Sequence, residues 1–391
     1  MFFSKPKSFL GIDFGAGGVK LVELKQEKNR PVLFTYALAL EAQDIHRVLN
    51  QSTMHTPADL LKEKAQDSRS PEIKVEAGSA PVALEAADNE KIRRYAALVK
   101  EVCRQARTVS TTAVVSLPVS AVFHTIVNLP IVKKEEVDAL LKAEVKKLLP
   151  YKLEETALDY ELLPHAADAK VQTVLVNAVP KSLVLFFSKV FQEAGLKLHA
   201  LEPESVALAR SLIGRDTALT MIIDIGAERT NFFIIDQTVP ITHHSIELGG
   251  TKINKGLASM LGVDEDKVER IKEDLFNHLL SHPDQAGISP EKFLAVFTSV
   301  IDPIMKEIAF SFNLYLRQTW NETKRPEKII LTGGAGLFPF LAGFISDTFK
   351  IKCYVGDPWG RVVYQEALKP VLHDMGPRMA VAIGLALKNL V

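Results

Sequence analysis

The 391-residue chain carries 47 Lys+Arg against 47 Asp+Glu and is 47% hydrophobic, so it can bury two cores yet has no net field to draw it onto nucleic acid or an anionic bilayer. Its two cysteines, Cys103 and Cys353, have no metal-ligand spacing and are too few for a disulfide framework, which points to packed thiols in a reducing compartment. No apolar run approaches the roughly 18 to 20 residues of a membrane span, and the start "MFFSKPKS" lacks a signal-peptide core, so a cytoplasmic protein without a direct membrane span is expected.

Residues 9–40 read as three strands joined by the turns "GAGG" and "KQEKNRP". Residues 41–89 are polar and aperiodic, which predicts a flexible insertion. A helix is expected at 90–107, then strands in "TTAVVSLP" and "SAVFHTIVNLP". "KKEEVDALLKAEVKKLLP" places Val137, Leu140, Leu141, Val145, Leu148 and Leu149 on one helical stripe. Strands in "ALDYELLP" and "VQTVLVNAVP" and a helix in "SLVLFFSKVFQEAGL" follow, and 117–198 as a whole reads as an inserted β-β-α-β-β-α module. Beyond it come a helix at 203–213, two strands within 219–236, a strand at 240–247 and a mostly helical stretch at 251–325. The strand "KIILTGGAG", the helix "FPFLAGFISDTF", the strand "KCYVG" and a last helix at 377–390 complete an α/β pattern.

Within that pattern one segment returns. "GIDFGAGGVKLVEL" aligns with "IIDIGAERTNFFII" when Asp13 is placed on Asp224, an offset of 211 residues, and Asp, Gly and Ala coincide. Local capping of a turn explains an aspartate in one such hairpin. Two copies opening two successive α/β units favour a duplicated fold whose hairpins wrap a polyphosphate from both sides, since glycine lets the backbone approach closely. Asp13 and Asp224 would then flank a hydrated Mg²⁺, an ion usually held by one or two carboxylates plus phosphates. Gly333 and Gly334 form a further glycine turn, which suits either a ligand or a tight strand-to-helix connection.

The ordered set "GIDFGAGGVK", "LEPESVALAR", "IIDIGAERTN", "LGGTKI", "LTGGAGLF" and "MAVAIGLAL" resembles the actin and heat-shock-chaperone ATPase superfamily. The resemblance implies a bilobal, duplicated, ribonuclease H-like α/β fold with an inserted small α+β subdomain. It implies a first lobe core at 1–116, the insert at 117–198 and a connecting helix at 199–216. The second lobe core would occupy 217–248 and 326–376, with a nucleotide-capping helical subdomain at 249–325 and a C-terminal connecting helix at 377–391. Within the superfamily, "SLPVSAVFHTIVNLPIVKKEEVDALLKAEVKKLLPYKLEETALDYELLP" resembles the PilM family of type IV pilus assembly.

That resemblance implies ATP and Mg²⁺ as ligands, with Asp13 and Asp224 beside the metal. Backbone contacts would come from Gly15, Ala16, Gly17 and Gly18 in one turn and from Gly226, Ala227, Glu228 and Arg229 in the other. Lys20 would neutralise phosphate charge, and Gly249, Gly250, Gly333 and Gly334 would surround the nucleotide. Glu269 and Lys272 match the family's acid and lysine that contact ribose and adenine. Glu202 is the candidate to position a water for hydrolysis, and it is equally explained as an acid favoured at a helix N-terminus. "GAGG" replaces the hydroxyl-rich turn common in relatives, which predicts binding without efficient hydrolysis. The implied partner is the cytoplasmic N-terminal peptide of a PilN-like inner-membrane protein, together with other components of the pilus platform and self-association.

Two other families share parts of this pattern. "LGGTKI" at 248–253 resembles a sugar-kinase signature, but in such kinases it belongs to the first hairpin, and no Asp base stands out in the first lobe. An FtsA-like, filament-forming cell-division protein shares the fold and is expected to carry a C-terminal amphipathic helix, which "GLALKNLV" does not supply; a GspL-like secretion protein is expected to continue into a membrane span. His243 and His244 fall on alternate faces of a strand, which opposes joint metal binding. Ala207 and Ala209, with Ala380, Ala382 and Gly384, are small enough for two connecting helices to cross closely.

Overall fold

The computed structural model describes residues 8–40, 86–163, 170–265, 267–268, 290–317, 324–335 and 340–390. The expected insertion at 41–89 therefore lies almost wholly outside the described residues, as do Glu269 and Lys272.

Two five-stranded sheets share one topology. In the first, β1 (Ser8–Gly15), β2 (Gly18–Glu27) and β3 (Arg30–Ala39) form an antiparallel meander, and β4 (Thr112–Leu117) and β8 (Lys197–Pro203) add parallel strands in the order β3-β2-β1-β4-β8. In the second, β9 (Thr220–Ile225), β10 (Thr230–Asp236) and β11 (Val239–Ile246) repeat the meander, and β12 (Lys328–Thr332) and β13 (Lys352–Val355) repeat the parallel pair in the order β11-β10-β9-β12-β13. Asp13 pairs with Lys20 across the first hairpin and Asp224 with Asn231 across the second, so the 211-residue offset holds strand for strand.

Both sheets are covered by helices, which is why β1 and β9 read as continuous apolar runs rather than alternating ones. On the first sheet, α1 (Ala86–Ala106) and α3 (Lys181–Glu193) close a core in which Phe14 meets Tyr95, Phe187 and Phe191 at ring separations of 5.8, 5.8 and 6.1 Å. On the second, α5 (Gly250–Leu261) and α6 (Pro290–Leu316) cover β9, β10 and β12, while α7 (Leu341–Phe349) joins β12 to β13. Burial of Cys353 beside this core pushes its thiol up to about 12, the inert behaviour expected of a packed cysteine.

The inserted module is smaller than 117–198. Its own sheet is three-stranded, β5 (Phe123–Pro130), β7 (Val171–Pro180) and β6 (Thr156–Leu162) in that order, packed against α2 (Lys134–Lys146). β4 belongs to the first sheet, and α3 buries Leu183, Phe186, Phe187, Val190 and Phe191 in the first sheet's core. Val137, Leu141 and Val145 form the buried stripe of α2, whereas Leu148 is 45% exposed because the helix has ended at Lys146. β8 was not foreseen: "KLHALEP" alternates too weakly to stand out, and its pairing with β4 makes it a strand.

The connecting helices run between the sheets. α4 (Glu204–Leu208) continues into a π-helical turn at Ala209–Ile213, and α8 spans Lys369–Ala386, starting eight residues before the expected 377. Pro370 sits in the first turn of α8 and is tolerated there, while Pro377 lies inside the helix. The two helices touch where Gly384 faces Ala207: a Cβ on Gly384 would stand 2.5 Å from the Ala207 carbonyl carbon. Small residues thus set the closeness of the crossing.

Candidate functional site

Both hairpin turns open onto one cavity of about 470 Å³ between the sheets. Its wall contains Asp13, Gly15, Ala16, Gly17 and Lys20 from the first hairpin and Asp224, Gly226, Ala227, Glu228 and Arg229 from the second. The turns approach closely: a Cβ on Gly17 would stand 3.0 Å from that of Ala227. Gly250, Gly333 and Gly334 complete the part of the wall foreseen from sequence.

Gly18 and Gly249 lie behind that wall rather than in it. Gly18 pairs with Gly15 to close the first turn, at φ 131°. A Cβ on Gly249 would stand 2.5 Å from the Glu228 carbonyl carbon, so this glycine lets the start of α5 nest under the second hairpin. The nesting is fixed by the Gly250 and Thr251 amides, which donate to the Gly226 and Ala227 carbonyls at 2.8 and 2.9 Å. "LGGTKI" is thus the turn that enters α5.

Electrostatics divide the cavity floor. Asp13 is 3% exposed and accepts from Lys20 Nζ at 2.9 Å and from Ser116 Oγ at 2.7 Å. Burial opposes the charge of Lys20, but the carboxylates of Asp13, Asp224 and Glu204 outweigh it and hold the ammonium above the ordinary lysine range. Asp224 accepts from Asn231 Nδ2 at 3.4 Å, and burial, reinforced by repulsion from Asp13, raises its carboxyl to about 6. Glu204 is buried at the start of α4, and burial followed by the two aspartates pushes it well above the carboxylate range. Three carboxyls thus share one lysine, a shortage of positive charge that an oxygen-liganded divalent cation would relieve.

Glu202 does not line the cavity, and this corrects its expected place beside the nucleotide. Its carboxylate takes Arg210 Nη1 at 2.9 Å, Arg210 Nη2 at 3.2 Å and the Lys388 ammonium. Burial opposes its ionisation, and the two cations overcome that and lower its pKa. Glu204, two residues further on, reaches the cavity because Pro203 ends β8 and turns the chain into α4.

Sequence reading also missed Asn231, Asn254, Glu265 and Arg378 in the wall. The repeat could have found Asn231, which stands 211 residues after Lys20 at the matching register. Nothing local marks Arg378, since α8 brings it to the cavity from the far end of the chain. His243 and His244 point apart as expected: His243 stacks on His124 at 4.6 Å, and His244 stacks on Phe232 and meets Glu307 at 3.1 Å. Among the described residues no group of three His, Cys, Asp or Glu side chains is arranged to hold a metal by itself.

A second cavity of about 330 Å³ opens where the three-stranded sheet meets the open edge of β8. Its wall takes Ala157, Asp159, Asn177 and Val179 from the module and Leu198, Ala200 and Leu201 from β8, together with Leu117 and Val184. No helix among the described residues is long and apolar enough to cross a membrane.

Three solved structures are similar to this chain over most of their length. A solved PilM-PilN type IV pilus biogenesis complex contains a chain of the same fold, with TM-score 0.71 and 20% identity over 99% of this chain and 100% of that one. The ethanolamine utilization protein EutJ from Carboxydothermus hydrogenoformans matches at TM-score 0.47 and 14% identity, over 98% of this chain and 90% of that one. The activator of 2-hydroxyisocaproyl-CoA dehydratase from Clostridium difficile, solved with bound ADPNP, matches at TM-score 0.41 and 10% identity, over 98% and 94%. The fold is the bilobal actin-like α/β fold. The family model described as type IV pilus assembly protein PilM matches residues 67–390, and the chain belongs to that family.

Proposed function

We propose that this protein is an ATP-binding, actin-like scaffold of type IV pilus assembly that holds the cytoplasmic N-terminal peptide of a PilN-like inner-membrane protein. The observation that carries the nucleotide part is the pair of facing hairpins, with Asp13 and Asp224 at matching registers over a cavity floor short of positive charge. Backbone amides of the two turns suit phosphate oxygens, and the oxygen donors Asp13, Asp224 and Glu204 suit Mg²⁺ rather than a softer metal. The ion would neutralise phosphate charge. Asp13 and Asp224 would hold it through its waters, Lys20 would face the phosphates, and Glu204, rather than Glu202, would position a water.

The first turn offers no hydroxyl to the phosphates and leaves only its backbone amides, which supports binding with slow turnover. The partner part rests on family membership and on the apolar second cavity between β6, β7 and β8, which suits an extended peptide. The protein would work in the cytoplasm and reach the inner membrane through that partner, as one component of the pilus platform.

The test is calorimetry with Mg-ATP and with the N-terminal peptide of the cognate PilN-like protein, using wild type, the Asp13→Ala/Asp224→Ala double variant and Ala157→Trp, which crowds the second cavity. Loss of ATP binding in the double variant and loss of peptide binding in Ala157→Trp are expected. Unchanged ATP affinity in the double variant would refute the nucleotide assignment.

A further inference from the structure

The cavity wall holds three cations among the described residues, Lys20, Arg229 and Arg378. Two are already committed. Lys20 is paired with Asp13 at 2.9 Å, and Arg229 gives Nη2 to Glu247 at 2.7 Å and Nη1 to Ser245 at 3.3 Å. The Arg378 side chain has no hydrogen-bonded or ion-pair partner among the described residues, although five acids, Asp13, Glu204, Asp224, Glu228 and Glu265, line the same cavity. An uncommitted guanidinium beside a space built to admit a polyanion is a recognition element waiting for its ligand.

Its position narrows the ligand atoms. A Cβ on Gly334 would stand 3.4 Å from Arg378 Nε and 3.5 Å from its Cγ, so the arginine lies along the glycine turn after β12. That turn is tied to α8 one residue earlier: the Pro377 carbonyl accepts from the Gly333 amide and from Thr332 Oγ1, both at 3.0 Å. Thr332 in turn pairs with Asp224 in the sheet, which places the base of Arg378 near the carboxylate end of the cavity. We propose that Arg378 is a phosphate-binding residue: its guanidinium bonds the polyphosphate of the bound nucleotide and so makes α8 register occupancy.

α8 is suited to pass that signal on. Two residues past the end of α8, Lys388 pairs with Glu202, and Arg210 ties Glu202 to the Gly384 carbonyl of α8, the latter at 2.7 Å. Glu202 lies next to the last residue of β8, the strand whose residues line the second cavity. A pull on Arg378 is therefore a pull on the edge that would hold the partner peptide.

The proposal rests on the nucleotide reading above, and the experiment separates the two. Affinities of the full chain for Mg-ATP, Mg-ADP and adenosine are measured by calorimetry for wild type, Arg378→Ala and Arg378→Lys, with melting curves to show each variant is folded. Arg378→Ala is expected to lose about tenfold or more for both phosphorylated ligands, in line with a charged hydrogen bond, and nothing for adenosine. Arg378→Lys keeps the charge without the fork and should fall between, which also serves if the alanine variant does not fold. Undiminished Mg-ATP affinity in both variants, or an equal loss for adenosine, would overturn the proposal. Failure of the wild type to bind Mg-ATP would instead overturn the nucleotide reading itself.

Discussion

Asp224 and Glu202 show how far the surroundings decide what a carboxyl does. Both are acids at or near a strand end, yet Asp224 is raised to about 6 by burial and by Asp13, while Glu202 is lowered because Arg210 and Lys388 outweigh its burial. A carboxyl with a raised pKa binds its proton more tightly folded than unfolded, so its contribution to stability is full below about pH 4 and is lost as pH rises through about 6. Asp224→Asn removes that loss. In the absence of ligand it should gain about 2 to 3 kcal/mol at pH 7.5 and flatten the profile between pH 4 and 6, measured by urea unfolding across that range. Parallel profiles for variant and wild type would count against the raised carboxyl. The aspartates were legible in the sequence because the motif recurs, whereas Glu204 was not, because a helix-start glutamate carries no pattern until its neighbours are known.

At the scale of elements, the crossing of α4 and α8 is held by small residues and by one charge network. Gly384→Val would drive a side chain into Ala207 and should cost about 2 kcal/mol or more through overpacking, read as a fall in melting temperature. Glu202→Gln should be more selective. It weakens the tie between β8 and α8 without touching either cavity's ligand contacts, so Mg-ATP affinity and nucleotide-free peptide affinity should stay within about twofold while any effect of ATP on peptide binding shrinks. Persistence of the full ATP effect would exclude the network as the link. The strands of both hairpins were readable from apolar runs and turn glycines, but β8 and the first turns of α8 were not, since pairing with β4 and packing on β2 outweigh weak local signals.

For the whole molecule, the two sheets contribute matching halves to one cavity, so a ligand there binds only the arrangement in which both hairpins face each other. Saturating Mg-ATP, at about 100 times its dissociation constant, should stabilise the native state by roughly 2.7 kcal/mol. It should also slow hydrogen exchange together at 13–20, 224–231 and 377–388. Protection confined to one hairpin would contradict a two-sided clamp. The inserted module bears on the second sheet through the stacked pair His124 and His243, and His124 also meets the Ile241 carbonyl at 3.2 Å.

The sequence by itself determined the duplication, the paired aspartates, the glycine turns and the family, because each is a contiguous motif whose spacing survives without knowledge of its neighbours. Tertiary structure alone decided which glutamate faces the cavity, that α3 serves the first sheet's core rather than the module, and that Arg378 joins residues more than 300 positions earlier in the chain. Those outcomes depend on which surfaces are left to be buried once the sheets have paired, and burial between distant segments leaves no periodicity in either one.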